Sequence, residues 1–331
     1  MPQWLWLDAT GKRNRVPYPD QSDRCVWNYE QGQQLVDGSG SQAADYYGRL
    51  FAWYTQGGFT DEYGSGHVSN HHYDFQWWEV LNEIEGEHQI NASSYTSLYD
   101  AIVTGIRYRC FAHLFSLHSN LTCVLCRTHA PQGSKATKFA GLALENHFEF
   151  DFYSYFLNPL NHQSGVPVDM VTFHFYASTP QRDNITSYED FFPLADVFLV
   201  EATEIVSIRD RLNPTVMLNV DETGVILPDD NDPKWTESAP GFPLLYWNAA
   251  AASYVYVWGL MASIGVDLVG ESQLTGYPSM PSLGLEPQVA RLTDDCTTSL
   301  FVAILFFQSS SSCLKRSSFS FTFLSTPAYP F

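Results

Sequence analysis

The chain is short of basic residues, short of cysteine and without any long apolar run. Against 36 Asp and Glu stand 17 Lys and Arg, a formal charge of −19. That field repels phosphate backbones and anionic lipid surfaces, which argues against nucleic acid and membrane partners. The longest apolar candidate, Leu300 to Phe307, falls far below the roughly 20 residues of a membrane span. The start, Met1-Pro2-Gln3-Trp4-Leu5-Trp6, lacks the basic n-region, apolar h-region and small-residue cleavage site of a signal peptide, so localisation is not encoded there. Among six cysteines in 331 residues, Cys25, Cys296 and Cys313 show no framework spacing, and no disulfide follows from them. Sequons at Asn91, Asn120 and Asn184 are no more than chance supplies.

What the chain does have is apolar and aromatic: 9 Trp, 19 Tyr and 23 Phe within a hydrophobic share of 45%. One large core fits this length, which is common for α/β barrels, and exposed aromatic faces suit sugar rings. Parallel strands buried on both faces read as short apolar runs separated by helical stretches. Six such strands are predicted: Pro2 to Trp6, Trp77 to Leu81, Phe139 to Leu144, Met170 to Phe175, Thr215 to Val220 and Val266 to Val269. Helices are predicted from about Gln42 to Tyr54, from an N-cap at Ser94 to Arg107, and over Phe148 to Leu157, Phe191 to Arg211 and Pro243 to Ile264. This alternation argues for an α/β protein with a parallel sheet, open or closed. Residues 1–284 are expected to form one barrel domain, interrupted by a Cys/His-rich stretch at about 110–127. The Ser/Phe-rich tail, 285–331, has neither helical nor strand period and is expected to lie outside it.

In a parallel barrel, chemistry sits where strands end and βα loops begin. Trp77-Trp78-Glu79-Val80-Leu81-Asn82-Glu83 ends in Asn-Glu, and Met217-Leu218-Asn219-Val220-Asp221-Glu222-Thr223-Gly224 carries Asp-Glu. Two acids meeting over a sugar are the minimum for glycosidic cleavage: one protonates the leaving oxygen, the other attacks the anomeric carbon or activates water.

These two motifs, with Phe173-His174-Phe175-Tyr176 between them, resemble the strand-four, strand-seven and strand-six signatures of the large retaining clan of (β/α)8 glycoside hydrolases. Family 39-like enzymes, which include β-xylosidases and α-iduronidases, are the nearest in pattern. The resemblance covers about Pro2 to Pro281 apart from the Cys/His stretch. It implies a TIM-barrel fold, retaining cleavage of a β-linked oligo- or polysaccharide with neither cofactor nor metal, and a secreted setting. Glu83 would be the acid/base, Glu222 the nucleophile, Asn82 a partner of the sugar 2-hydroxyl, Tyr176 the residue holding the nucleophile, and His174 a lining group. It also requires three strands before Glu83, where only Pro2 to Trp6 is available. The barrel is therefore expected to be incomplete, at about six βα units with the first two strands missing, and inactivity of this chain stays open.

Other residues compete for roles. Glu271, Trp27, Tyr29 and Tyr277 are candidates for lining the sugar cleft, the aromatics by stacking. Glu85, Glu87 and His88 follow Glu83 and are read either as substrate contacts or as an acidic loop. Glu145 is expected to cap the helix that follows it, and Glu201 and Glu204 to form a solvated helix face. His67, His71 and His72 fall in a loop at the bottom of the barrel and are expected on the surface. Cys110 with His113, and Cys123 with Cys126, have the spacing of a tetrahedral zinc site, with His118 and His129 as spares. The same stretch also reads as an insertion into an otherwise continuous βα unit. Besides the hydrolase, a non-catalytic carbohydrate-binding barrel and a zinc-stabilised scaffold remain as alternatives.

Overall fold

The computed structural model describes residues 1–15, 28–115, 137–177, 187–225 and 244–272, all of them within the unit Met1–Pro287. The first elements are small. Strand β1 (Trp6–Leu7) pairs antiparallel with β2 (Gln34–Leu35), helix α1 (Ser41–Thr55) follows, and β3 (Gly58–Thr60) forms a hairpin with β4 (Gly66–Val68). From there strands and helices alternate: β5 (Trp77–Val80), α2 (Ile84–His88), α3 (Ala92–Phe115), β6 (Lys138–Leu144), α4 (Phe150–Phe156), β7 (Met170–Ala177), α5 (Phe191–Leu212), β8 (Met217–Val225), α6 (Leu244–Ile264) and β9 (Leu268–Glu271). Strands β5 to β9 are all parallel and are neighbours in chain order. This is an α/β architecture: among the described residues a parallel sheet of five strands follows chain order with helices between the strands, the arrangement a TIM barrel repeats.

Side-chain alternation gives the sheet two different faces. On β7, Phe173 meets Tyr153 of α4 edge-on at 5.9 Å, and Phe175 stacks on Phe198 of α5 at 4.2 Å. The intervening Thr172, His174 and Tyr176 therefore point to the opposite face. Strand β6 carries glycine at 141 because the rings of α3 and α4 close over it: a Cβ there would stand 2.8 Å from the Tyr99 ring and 2.9 Å from Tyr95 Oη. Burial of each of these phenyl groups is worth about 1.5–3 kcal/mol, and the core is continuous from Trp6 to Val266.

Several expectations need correction. Pro2 to Trp6 is not a barrel strand: Gln3–Leu5 is a 3-10 turn, and Trp6 enters the antiparallel pair with β2 while its ring stacks on His88 at 3.6 Å. Among the described residues five strands rather than six therefore make the parallel sheet. Helix α3 starts before Ser94, because Asn91 Oδ1 accepts the Ser94 N–H at 2.9 Å and caps it instead. It also runs past Arg107 to Phe115, while the helix expected over Phe148 to Leu157 is shorter, Phe150–Phe156. The zinc reading needs Cys123 and Cys126, which lie outside the described residues, as do Cys25, Trp27, Tyr277, Cys296, Cys313 and the tail. Among the described residues no helix is long and apolar enough to cross a membrane.

Candidate active site

Three strands bring one group of side chains together: Glu83 lies just past β5, His174 within β7, and Glu222 within β8, which runs on to Val225 instead of ending before the acid. His174 Nδ1 lies 2.8 Å from Glu83 Oε1 and 3.6 Å from Glu222 Oε2. One oxygen of each carboxylate and one nitrogen of His174 all lie within 4.8 Å of one another. Tyr176 donates to Glu222 Oε2 at 2.6 Å, and Ser272 Oγ, just past β9, stands 2.7 Å from the same phenol oxygen. The His174 side chain is wholly buried, whereas 18% of Glu83 and 33% of Glu222 remain exposed, so both acids can be reached from solvent.

The backbone sets this geometry by departing from regularity. Between β7 and β8 the register passes from Phe173↔Val220 directly to His174↔Glu222, which leaves Asp221 as an extra residue on β8. Without that bulge, alternation would send Glu222 to the helix face. With it, Asp221 and Glu222 both reach the His174 side, Asp221 Oδ2 standing 3.7 Å from His174 Nε2. A second irregularity lies in β6, where Leu142 and Ala143 have φ of 86° and 45° and the register to β7 shifts. There Ala143 O accepts the Glu83 N–H at 2.9 Å, Ala143 N donates to Thr172 Oγ1, and Tyr95 Oη links Leu142 N to Val80 O. Glu83 itself has φ 46° and Leu81 φ 68°, left-handed conformations that cost non-glycine residues of order 1–3 kcal/mol each. Tertiary hydrogen bonds hold that strain at the point where the acid must be aimed.

Electrostatics follow from the crowding of acids. Burial alone would lower His174, but the nearby Asp221 carboxylate, the hydrogen bond to Glu83 and the charge of Glu222 push it up to about 10. Glu79 remains exposed overall, yet removal of its carboxyl from water and the facing Asp221 charge push it up to about 8. Burial and the bond to Glu222 raise the Tyr176 phenol. The spacing of Glu83, His174 and Glu222 would suit a cation, but an imidazole must give up its proton to ligate a metal. Ligation would therefore have to displace a proton that the surrounding carboxylates favour on His174.

The other predicted residues scatter. Asn82 is exposed beside Glu83. Glu271 is in register with Thr223, which pairs with Phe175 on the helix side of the sheet, and burial raises its carboxyl. Tyr29 is 63% exposed, and burial of its phenol with the charges of Glu145, Glu83, Glu87 and Glu85 pushes it up to about 12, which puts it on the Glu83 side. Glu85 and Glu87 belong to α2; Glu85 accepts from Asn146 N at 3.0 Å. His88 is buried, held by Gly32 O at 2.9 Å and lowered by burial to about 4. Glu145 does not cap α4, which begins five residues later; its carboxylate instead lies where a Cβ on Gly86 would run into it. Glu201 is not simply solvated: its Oε2 pairs with His147 Nε2 at 2.7 Å, while His147 Nδ1 donates to His174 O. Glu204 is exposed. His67 pairs with Asp61 at 2.8 Å in the β3–β4 hairpin, and His71 stacks between Tyr54 and Tyr73.

Sequence reasoning did not single out Asp221, Glu79 or Ser272. Asp221 and Glu79 stand inside the quoted motifs, and their acidity in otherwise apolar strands was the available signal.

No protein-family model matches the sequence, and no curated protein is significantly similar to it. Among solved structures the chain is similar to the GH51 arabinofuranosidase from Xanthomonas axonopodis pv. citri, at 13% identity over 71% of this chain and 45% of that one, with a TM-score of 0.47. It is also similar to the glucosidase from Croceicoccus marinus, at 13% identity over 74% and 39%, TM-score 0.41. A Paenibacillus polymyxa xyloglucanase from Glycoside Hydrolase Family 44 aligns at 10% identity over 71% and 47%, TM-score 0.41. The chain spans less than half the length of each of these structures.

Proposed function

We propose that this chain is a retaining glycoside hydrolase that cleaves O-glycosidic bonds of a β-linked glycan by double displacement. One observation carries the reading: two carboxylates from distant parts of the chain present oxygens within 4.8 Å of each other, both open to solvent. A retaining pair stands at about 5–5.5 Å. Glu222, held by Tyr176, attacks the anomeric carbon as Glu83 protonates the leaving oxygen, and a glycosyl ester forms at Glu222. Water then enters. Glu83 takes its proton, the ester bond breaks, and the sugar leaves with its original anomeric configuration. Asn82 hydrogen-bonds the 2-hydroxyl, and the exposed ring of Tyr29 offers a stacking face beside Glu83.

The test is turnover of a panel of aryl glycosides by the protein and by Glu83→Gln and Glu222→Gln. Each substitution is expected to abolish turnover, with azide partly restoring it, and the first product seen by NMR is expected to keep the substrate's anomeric configuration. Unchanged rates in either variant would remove that residue from its role, and inversion would exclude the double displacement.

A further inference from the structure

His174 carries a buried atom with no partner. Its Nδ1 is engaged by Glu83, but Nε2 has no hydrogen bond, and neither has Asp221 Oδ1, although both are shut off from solvent. The two side chains face each other, with Asp221 Oδ2 3.7 Å from Nε2. Buried polar atoms left unpaired are costly, and bonds within unliganded active sites are often long and tighten when substrate binds. The β8 bulge exists at Asp221 itself, so the same irregularity that aims Glu222 also aims this second carboxylate.

We propose that Asp221 is a positioning residue: it grips His174 Nε2–H and thereby fixes the imidazolium so that Nδ1–H donates to the acid/base Glu83. The relay runs Asp221, His174, Glu83, parallel to the Tyr176 to Glu222 bond on the other acid. Every titratable group around His174 is consistent with a held cation. From β5 and its end come Glu79 and Glu83, from β8 Asp221 and Glu222, and from its own strand the neutral Tyr176. After β6, His147 reaches the His174 carbonyl through Nδ1 and turns Nε2 away to Glu201. When Glu83 gives up its proton to the leaving group, the Nδ1–H bond stabilises the carboxylate that appears.

The catalytic arm of this inference rests on the glycosidase reading; the spectroscopic arm does not. In 15N-labelled protein, both His174 ring nitrogens are expected to show imidazolium shifts at pH 7. In Asp221→Asn the titration midpoint of His174 is expected to fall by about one pH unit or more. If the protein hydrolyses aryl glycosides, Asp221→Asn is expected to reduce kcat roughly tenfold with KM little changed and to shift the alkaline limb of the pH profile. An Nε2 that is unprotonated at pH 7 in the unsubstituted protein overturns the proposal without any variant. So does a His174 midpoint unmoved in a folded Asp221→Asn. Absence of hydrolysis together with the expected shifts would sink the glycosidase reading and leave the Asp221 grip standing.

Discussion

Tyr176 donates its phenol hydrogen to Glu222 Oε2 across 2.6 Å, from the β7 position two residues past His174. Alternation puts both residues on one face, so a single strand supplies a contact to each of the two carboxylates proposed as catalytic. Ser272 holds the phenol from the far side, which leaves the Tyr176 hydrogen directed at Glu222.

Tyr176→Phe removes that hydrogen and leaves the ring. A hydrogen bond to a charged group is worth about 1.5–3 kcal/mol, so turnover is expected to fall roughly 10- to 150-fold. Thermal unfolding should move much less, because the ring packing survives. Steady-state kinetics beside a melting curve separate the two, and an undiminished kcat would detach Tyr176 from the nucleophile.

Gly224 tests the same contact by crowding rather than deletion. A Cβ at this position would stand 2.9 and 3.0 Å from two ring carbons of Tyr176 and 3.5 Å from Tyr254 Oη. Gly224→Ala is therefore expected to push the phenol away from Glu222 and to lower kcat, by no more than the roughly 10- to 150-fold of the full bond. Adding Tyr176→Phe to Gly224→Ala should then cost little further. Full additivity in that double-mutant cycle would show that the glycine acts elsewhere.

Much of this architecture was legible because burial leaves a plain trace. Strands β6 and β7 are apolar nearly throughout, and α5 and α6 are long enough to separate from strands by length alone. Pro2 to Trp6 misled for the same reason: apolar content reports burial, not the partner, and Trp6 is buried against His88 outside the parallel sheet. The acids Glu83 and Glu222 were visible as carboxylates following apolar runs, although β8 continues past Glu222 to Val225. The role of Asp221 was not, because a bulge is a property of two strands in register and leaves no period in one of them. Ser272 joins the site only through the β8–β9 pairing, which local sequence does not encode.

Phe198 is the centre of the helix side of the sheet. It is fully buried, stacked on Phe175 at 4.2 Å and edge-on to His147 at 4.8 Å. Phe198→Ala should destabilise by roughly 3–5 kcal/mol through lost burial and the cavity left behind. Urea unfolding checks this. A loss below about 1 kcal/mol would mean that α5 does not pack on β7 as described.

Stability is predicted to decline on the alkaline side, with two separable components. His174 stands near 6.5 when unfolded and is pushed up to about 10 in the fold, where Asp221, Glu83 and Glu222 outweigh burial. A raised histidine contributes fully below 6.5, and that contribution is lost as pH climbs through 10. Glu79 is raised from 4.5 to about 8, by burial first and by Asp221 second, so the fold binds a proton there that the unfolded chain has released. Its contribution likewise falls with rising pH, but over the lower window from 4.5 to 8. Glu79→Gln keeps a neutral side chain at every pH and removes only this lower component. The stability of the variant relative to the parent should therefore rise between pH 4.5 and 8 and stay level beyond. The decline from His174 should persist in both proteins up to pH 10. Urea midpoints measured across this range decide it: a difference that does not change with pH would show that Glu79 titrates like any exposed glutamate, and that Asp221 does not face it.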